Sequence, residues 1–116
     1  MPASSEEKEF VSYLVELMQS IGPVNARPMF GGFGIFLDNL MFGLVADSLL
    51  YLKADQYTRP DFKARNLEAF SYVKNNKNYN MSYYQAPEEA LENPEDMATW
   101  ANRAYAVALA AQKTGK

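Results

Sequence analysis

"FGIFLDNLMFGLVADSLLYLKA", Phe33 to Ala54, contains three short apolar runs that are separated by two polar pairs. Each run repeats apolar residues with a period of two, which is typical of a β-strand. The pairs Asp38-Asn39 and Asp47-Ser48 suit tight turns between such strands. The stretch therefore predicts a three-stranded antiparallel meander. Its predicted strands cover residues 33–37, 40–46 and 50–54.

The segment just before the meander is rich in glycine. "RPMFGGFGIF", Arg27 to Phe36, contains Gly31, Gly32 and Gly34. A phosphate-binding loop of the dinucleotide type needs its glycines between a strand and a helix, so that the helix N-terminus faces the anion. Here the glycines lead into a period-two strand, and no Lys-Ser/Thr pair follows. We interpret them as a bulge or tight bend at a sheet edge, where a Cβ atom would clash.

A helix is predicted ahead of the glycines. Ser4 and Glu7 form an S-x-x-E capping box, and Gly22-Pro23 ends the helix. Its apolar residues follow the spacing of one buried helix face. This predicted buried stripe consists of Phe10, Tyr13, Leu14, Leu17, Met18 and Ile21.

After the meander the sequence predicts a short helix, a hairpin and a long helix. The short helix covers residues 58–65 and closes at Asn66, which tolerates left-handed geometry. The hairpin pairs residues 70–74 with 79–85 around residues 75–78. Asn93-Pro94 begins the last helix, in which Trp100 is the predicted central anchor because large aromatic side chains dominate core burial. Its predicted buried residues are Met97, Trp100, Ala101, Ala104, Ala108 and Ala111.

These elements predict an α+β fold in the order α-β-β-β-α-β-β-α. Strands that are grouped apart from helices and joined by hairpins favour an antiparallel sheet. The expected architecture has two layers, with the N- and C-terminal helices on one face of the sheet. We expect a single domain over residues 1–116, with a core of about 5–112.

Composition argues against a catalytic or metal-binding site. The 116 residues include no cysteine and no histidine, which removes the commonest general base and the usual transition-metal ligands. Acidic residues crowd the start of the last helix, where they favourably meet the helix dipole. They are Glu88, Glu89, Glu92, Glu95 and Asp96. We expect no catalytic residues, no cofactor and no metal.

Charge and hydropathy predict a cytoplasmic protein. The longest apolar run, residues 40–46, is too short for a membrane span, and the acidic N-terminus does not resemble a signal peptide. A net charge of −3 disfavours a dedicated nucleic-acid binder, so we expect no direct binding of nucleic acid.

Lysines beside tyrosines on the predicted second hairpin leave an alternative function open. Lys74 and Lys77 lie on the predicted second hairpin, beside several tyrosines. Aromatic side chains next to cations on a sheet can stack single-stranded bases. Tyrosines on an antiparallel sheet are also ordinary cross-strand pairs. The alternative is therefore a small-ligand or single-stranded nucleic-acid binding module that uses the Tyr/Lys hairpin.

Several motifs in order resemble the TfoX (Sxy) N-terminal domain family of bacterial competence regulators. The first is R-x-M-F-G-G-x-G at Arg27 to Gly34, and a tryptophan in an alanine-rich last helix also fits. The resemblance covers about residues 5–112. Asn39 and Asn66 stand where many family members carry glycine, and both tolerate left-handed geometry. The other shared motifs are Met41-Phe42, Leu50-Tyr51-Leu52-Lys53 and Met81-Ser82-Tyr83-Tyr84.

The resemblance implies helices on an antiparallel sheet and a regulatory, non-enzymatic role. In full-length members a second domain follows, and the protein acts with a cAMP-receptor-type activator at competence promoters. We therefore expect a protein partner from the transcription machinery, or an activator. We also expect a homodimer that uses the sheet's outer face or an edge near Phe36, because Phe36 alternates to the face that the helices leave open and unpaired edges favour partners. The candidate interaction surface comprises Arg27, Met29, Phe30, Phe36, Lys74, Lys77, Tyr83 and Tyr84.

Overall fold

The computed structural model describes residues 5–29 and 31–115, with only the backbone for 113–115. Ser4 and Phe30, named above, lie outside the described residues. The described helices are α1 (Ser5–Leu17), α2 (Arg59–Ala64) and α3 (Pro94–Gly115), with 3-10 turns at Gln19–Ile21 and Glu88–Leu91. The described strands are β1 (Asn25–Met29), β2 (Gly32–Leu37), β3 (Leu40–Ala46), β4 (Leu49–Lys53), β5 (Ala69–Lys74) and β6 (Lys77–Gln85).

The strands form one antiparallel sheet in the order β1-β2-β3-β4-β6-β5. The predicted α+β class and the order of its elements are confirmed, and β1 adds a sixth strand ahead of the meander. Sequence reasoning missed β1 because Pro28 lies inside it and proline cannot donate to a strand ladder. The strand forms because it pairs on one side only, with β2, and an edge strand tolerates proline.

Three two-residue turns close the hairpins that follow β2, β3 and β5. Positive φ at both central residues is the type I′ geometry, which matches the twist of the flanking strands. The predicted four-residue loop at 75–78 is wrong, since β6 already begins at Lys77. The turn residues and their φ values are Asp38 53°, Asn39 64°, Asp47 53°, Ser48 60°, Asn75 54° and Asn76 64°.

A β-bulge interrupts the regular alternation of β3 side chains between the two faces of the sheet. Ile35 pairs with Gly43 while Phe36 pairs with Met41, so Phe42 is the extra residue. Phe42 is fully buried in the helix-side core, as is Val45 three positions later. Leu44 is buried too but falls outside that core cluster, because the bulge turns it to the opposite face.

Helix α1 buries a different stripe from the predicted one. Leu14 and Met18 are fully buried as predicted, and Val11 joins them. The prediction that Tyr13 is buried is wrong, since its side chain is 44% exposed. Its position at the rim of the helix lets its hydroxyl donate to the Leu91 carbonyl oxygen.

Glu7 ties the start of α1 to the turn between β3 and β4. Its Oε2 accepts a hydrogen bond from the Ser48 backbone N–H at 3.0 Å, and its side chain is buried. A buried carboxylate needs such a partner. This bond fixes the N-terminal end of α1 against the meander.

Helix α3 covers β3 and β4 and begins as predicted, with Asn93 Oδ1 accepting from the Asp96 N–H at 2.8 Å. Trp100 is buried and confirmed as an anchor of the core. The prediction for Ala111 is wrong, because that residue is exposed. The buried face of α3 ends at Ala108, and residues 109–112 are exposed.

The core lies between these helices and one sheet face. Phe62 of α2 packs there between Tyr84, whose ring centroid is 5.5 Å away, and Trp100, at 5.3 Å. Asn66 closes α2 with φ 61°, as predicted. In the described part of the chain, no helix combines the length and apolarity needed to cross a lipid bilayer.

Candidate functional site

The glycine-rich segment is a strand and not an anion loop. Gly31 takes φ 77° in the turn before β2, and β2 is followed by another strand, so no helix N-terminus faces the glycines. A Cβ atom on Gly32 would lie 2.1 Å from the Val45 carbonyl oxygen. Glycine is therefore required for the close approach of β2 to β3. This approach lies one strand inside the sheet and not at the edge we had expected, because β1 covers the edge.

Four side chains surround Gly34 on the open face of the sheet, and we call them the Gly34 patch: Arg27, Met29, Phe36 and Met41. A Cβ atom on Gly34 would meet the sulfur atoms of Met29 and Met41 at 2.6 and 2.9 Å. The two methionines and Phe36 are half-buried, and Arg27 is exposed. The Arg27 guanidinium lies 4.3 Å from the centre of the Phe36 ring. The patch is thus an apolar surface with one cation over it.

The hairpin of β5 and β6 projects from the body. Pairing between β4 and β6 ends at Lys53 and Tyr83, so residues 71–81 pair only with each other. Apart from the half-buried Met81, every residue of this segment is exposed. We call residues 71–81 the arm.

Aromatic rings run from the body onto the arm, and we call them the aromatic ladder: Tyr51, Phe70, Tyr72 and Tyr79. Successive ring centroids are 5.2, 6.4 and 5.5 Å apart. The ladder becomes more exposed outward, reaching 43% at Tyr72 and 39% at Tyr79. At its inner end, burial first and then the Asp47 and Glu68 carboxylates raise the pKa of Tyr51.

The predicted interaction residues fall into two groups at opposite ends of the sheet. Arg27, Met29 and Phe36 come together in the Gly34 patch, whereas Lys74 and Lys77 lie opposite each other at the tip of the arm. Phe30 belongs to neither group, since it is outside the described residues.

The two remaining predicted residues, Tyr83 and Tyr84, are buried on opposite faces. Tyr84 lies in the core against Phe62. Tyr83 lies on the open face, beneath the Lys53 ammonium at 5.0 Å from its ring centre. Burial raises the pKa of Tyr83 to about 12, so its hydroxyl stays protonated well into the alkaline range.

Sequence reasoning did not include Tyr51 or Phe70 in the candidate surface. Phe70 and Tyr72 share a face because they are two positions apart, so alternation could have linked them. Contact of Tyr51 with the ladder depends on β6 pairing with β4, a long-range feature that no local pattern reveals.

Two of the five acidic residues near the start of α3 form side-chain hydrogen bonds within the fold. Both carboxylate oxygens of Glu89 accept from Arg65 Nη1, at 2.7 and 2.8 Å, and Asp96 Oδ2 accepts from the Asn93 side-chain amide at 2.9 Å. Over residues 5–29 and 31–115, no three acidic side chains are grouped to hold a metal ion.

The chain matches a known protein family over most of its length. The TfoX N-terminal domain family matches residues 16–108. The chain belongs to that family. The match runs from within α1 into α3 and thus includes the whole sheet of this TfoX N-terminal domain.

A named TfoX protein is also similar. The chain is 30% identical to DNA transformation protein TfoX1 of Aliivibrio fischeri over 91 residues. The matched region is 78% of this chain and 42% of that protein. The chain therefore spans less than half the length of the relative. Within the TfoX N-terminal domain, the R-x-M-F-G-G-x-G motif supplies Arg27 and Met29 to the patch and Gly34 at its centre.

Proposed function

We propose that this TfoX N-terminal domain is a non-enzymatic regulatory domain that acts in the cytoplasm through protein contacts. The observation that carries the proposal is the family match over residues 16–108. A relative named for DNA transformation supports a role in that process. The lack of histidine and cysteine also fits a domain that works by binding and not by catalysis.

The proposed partner is a protein of the transcription machinery, or a transcription activator that controls genes for DNA uptake. The Gly34 patch is the surface we assign to it. Its methionines suit an adaptable protein contact because they are flexible and polarisable. Arg27 adds a cation, and arginine is a residue type that is enriched at protein interfaces.

Affinity capture from a native bacterial lysate tests this function. The wild-type domain is expected to recover an RNA polymerase subunit or a transcription activator. A Phe36→Ser bait should recover several-fold less, because the substitution removes the aromatic ring of the patch, which lies under the Arg27 guanidinium. Tyr57→Ser is the matched control, since Tyr57 is 79% exposed away from the patch. The proposal fails if the wild-type bait recovers no such protein, or if both variants recover equal amounts.

The Gly34 patch is also our proposed contact between two copies of the domain. The helices cover the opposite face of the sheet, and a two-fold dimer is the commonest way to cover an apolar surface. Pairing through the β1 edge is disfavoured because Pro28 removes a backbone donor from that edge. A regulatory partner would then bind in place of the second copy.

Sedimentation equilibrium at micromolar concentration tests the dimer. We expect a species of twice the 13.1 kDa chain mass, shifted to the monomer by Phe36→Ser but not by Tyr57→Ser. A single 13.1 kDa species over the whole concentration range would contradict the dimer.

A further inference from the structure

The arm differs in charge from the rest of the chain. Residues 69–85 contain two of the chain's 11 basic side chains and none of its 14 acidic ones. The net charge of −3 therefore comes entirely from other parts of the molecule. Because the arm projects, its two lysines are separated from most of that negative charge, and solvent screens the remainder within about 10 Å at ordinary salt.

The two lysines at the tip repel each other. Lys74 and Lys77 are direct cross-strand partners across the Asn75-Asn76 turn. Like charges directly opposite each other destabilise a hairpin. No acidic residue within the arm offsets them. A bound polyanion would offset this repulsion. Relief of the repulsion would therefore add to the free energy of binding phosphates at the tip.

The aromatic ladder provides the second component of the same surface. Tyr72 and Tyr79 are stacked, with ring planes 23° apart, and both remain about two-fifths exposed. Cross-strand pairing accounts for their contact with each other, but not for a four-ring row that extends onto an uncovered arm. An exposed ring face can stack an unpaired base, whichever base it is.

We propose that the arm binds single-stranded DNA, with bases stacked on Tyr72 and Tyr79 and phosphates contacted by Lys74 and Lys77. A single strand fits better than a duplex because the ring faces need unpaired bases. The choice of DNA over RNA rests on the proposed role in DNA transformation. The proposal departs from the expectation of no direct nucleic-acid binding, which followed from a net charge that the arm does not share.

Fluorescence anisotropy with a short labelled oligothymidylate tests the proposal on the whole chain. Two phosphate contacts predict binding about sevenfold weaker at about 200 mM than at about 50 mM salt. The double variant K74Q/K77Q should lose most of this salt dependence. Lys63→Gln is the matched control, because it removes one exposed charge on α2.

Substitution of the outer rings tests stacking. Tyr72→Ala should weaken binding about fivefold or more, whereas Tyr72→Phe keeps the ring and should bind like the wild type. Tyr57→Ala controls for loss of an exposed tyrosine elsewhere. If Tyr72→Ala also lowers the melting temperature, the K74Q/K77Q variant decides whether the arm binds DNA, since both lysine side chains are exposed.

Three results would overturn the proposal. They are no binding at low salt, equal losses in the arm and control variants, and tighter binding of a duplex or of oligouridylate than of oligothymidylate. These results are independent of the protein-contact function, because the Gly34 patch lies at the other end of the sheet. A failed affinity capture would likewise leave the titration unchanged.

Discussion

A Trp100→Ala variant is expected to lose about 3–5 kcal/mol of its free energy of unfolding. Trp100 is 7% exposed and packs edge-on against Phe62. The guanidinium groups of Arg65 and Arg103 lie 5.1 and 5.0 Å from its ring centre. Alanine would leave a cavity beneath α3 and remove both cation–π contacts. Because small domains are stabilised by about 5–15 kcal/mol in total, this loss is a large share.

Urea unfolding followed by circular dichroism measures the effect, since the variant lacks the chain's single tryptophan. Trp100→Phe should keep most of the stability because an aromatic ring still fills the site. Leu109→Ala is the control on the same helix, as Leu109 is 38% exposed. A Trp100→Ala free energy within error of the Leu109→Ala value would show that Trp100 does not anchor the core.

A Gly32→Ala variant is expected to lose about 3 kcal/mol, although it adds only one methyl group. The new Cβ would lie 2.1 Å from the Val45 carbonyl oxygen, far inside van der Waals contact. That oxygen belongs to the backbone of β3, so relief requires a shift of one strand against the other. Urea unfolding monitored by tryptophan fluorescence gives the free energy directly, because Trp100 is retained.

Gly34→Ala distinguishes a backbone clash from a side-chain clash on the same strand. Its Cβ would meet the sulfur atoms of Met29 and Met41 and the rim of Phe36. The methionine side chains are flexible and can move, so we expect a loss of about 1 kcal/mol. If Gly34→Ala proves more destabilising than Gly32→Ala, the close approach of β2 to β3 is not the constraint we infer.

Most of the fold could be predicted from local sequence patterns. The meander and the second hairpin were predictable because period-two alternation and turn residues act over a few positions. Asp38-Asn39 and Asp47-Ser48 both take the left-handed geometry that such turns need. The first residues of α3 were predictable for the same reason, since Asn93 acts on its own helix terminus.

Features that depend on distant parts of the chain were not predictable. No residue near Pro28 indicates that the segment around it will pair with β2 as an edge strand. Whether Tyr13 or Val11 faces the core depends on how α1 lies on the sheet. For the candidate site, the sequence predicted Lys74 and Lys77 beside tyrosines. It could not show that the arm stands clear of the body, because that depends on where β6 stops pairing with β4.

The strand order also bears on how the chain reaches its native state. Four of the five strand pairs join elements that are consecutive in the chain, so each can form by closing a short turn. Such low-contact-order pairing favours rapid folding. Helix α3 differs, because it must pack against β3 and β4 across about 50 residues of chain. We infer that the meander and the hairpin form early and that docking of α3 completes the fold, so contacts made by Trp100 mainly slow unfolding.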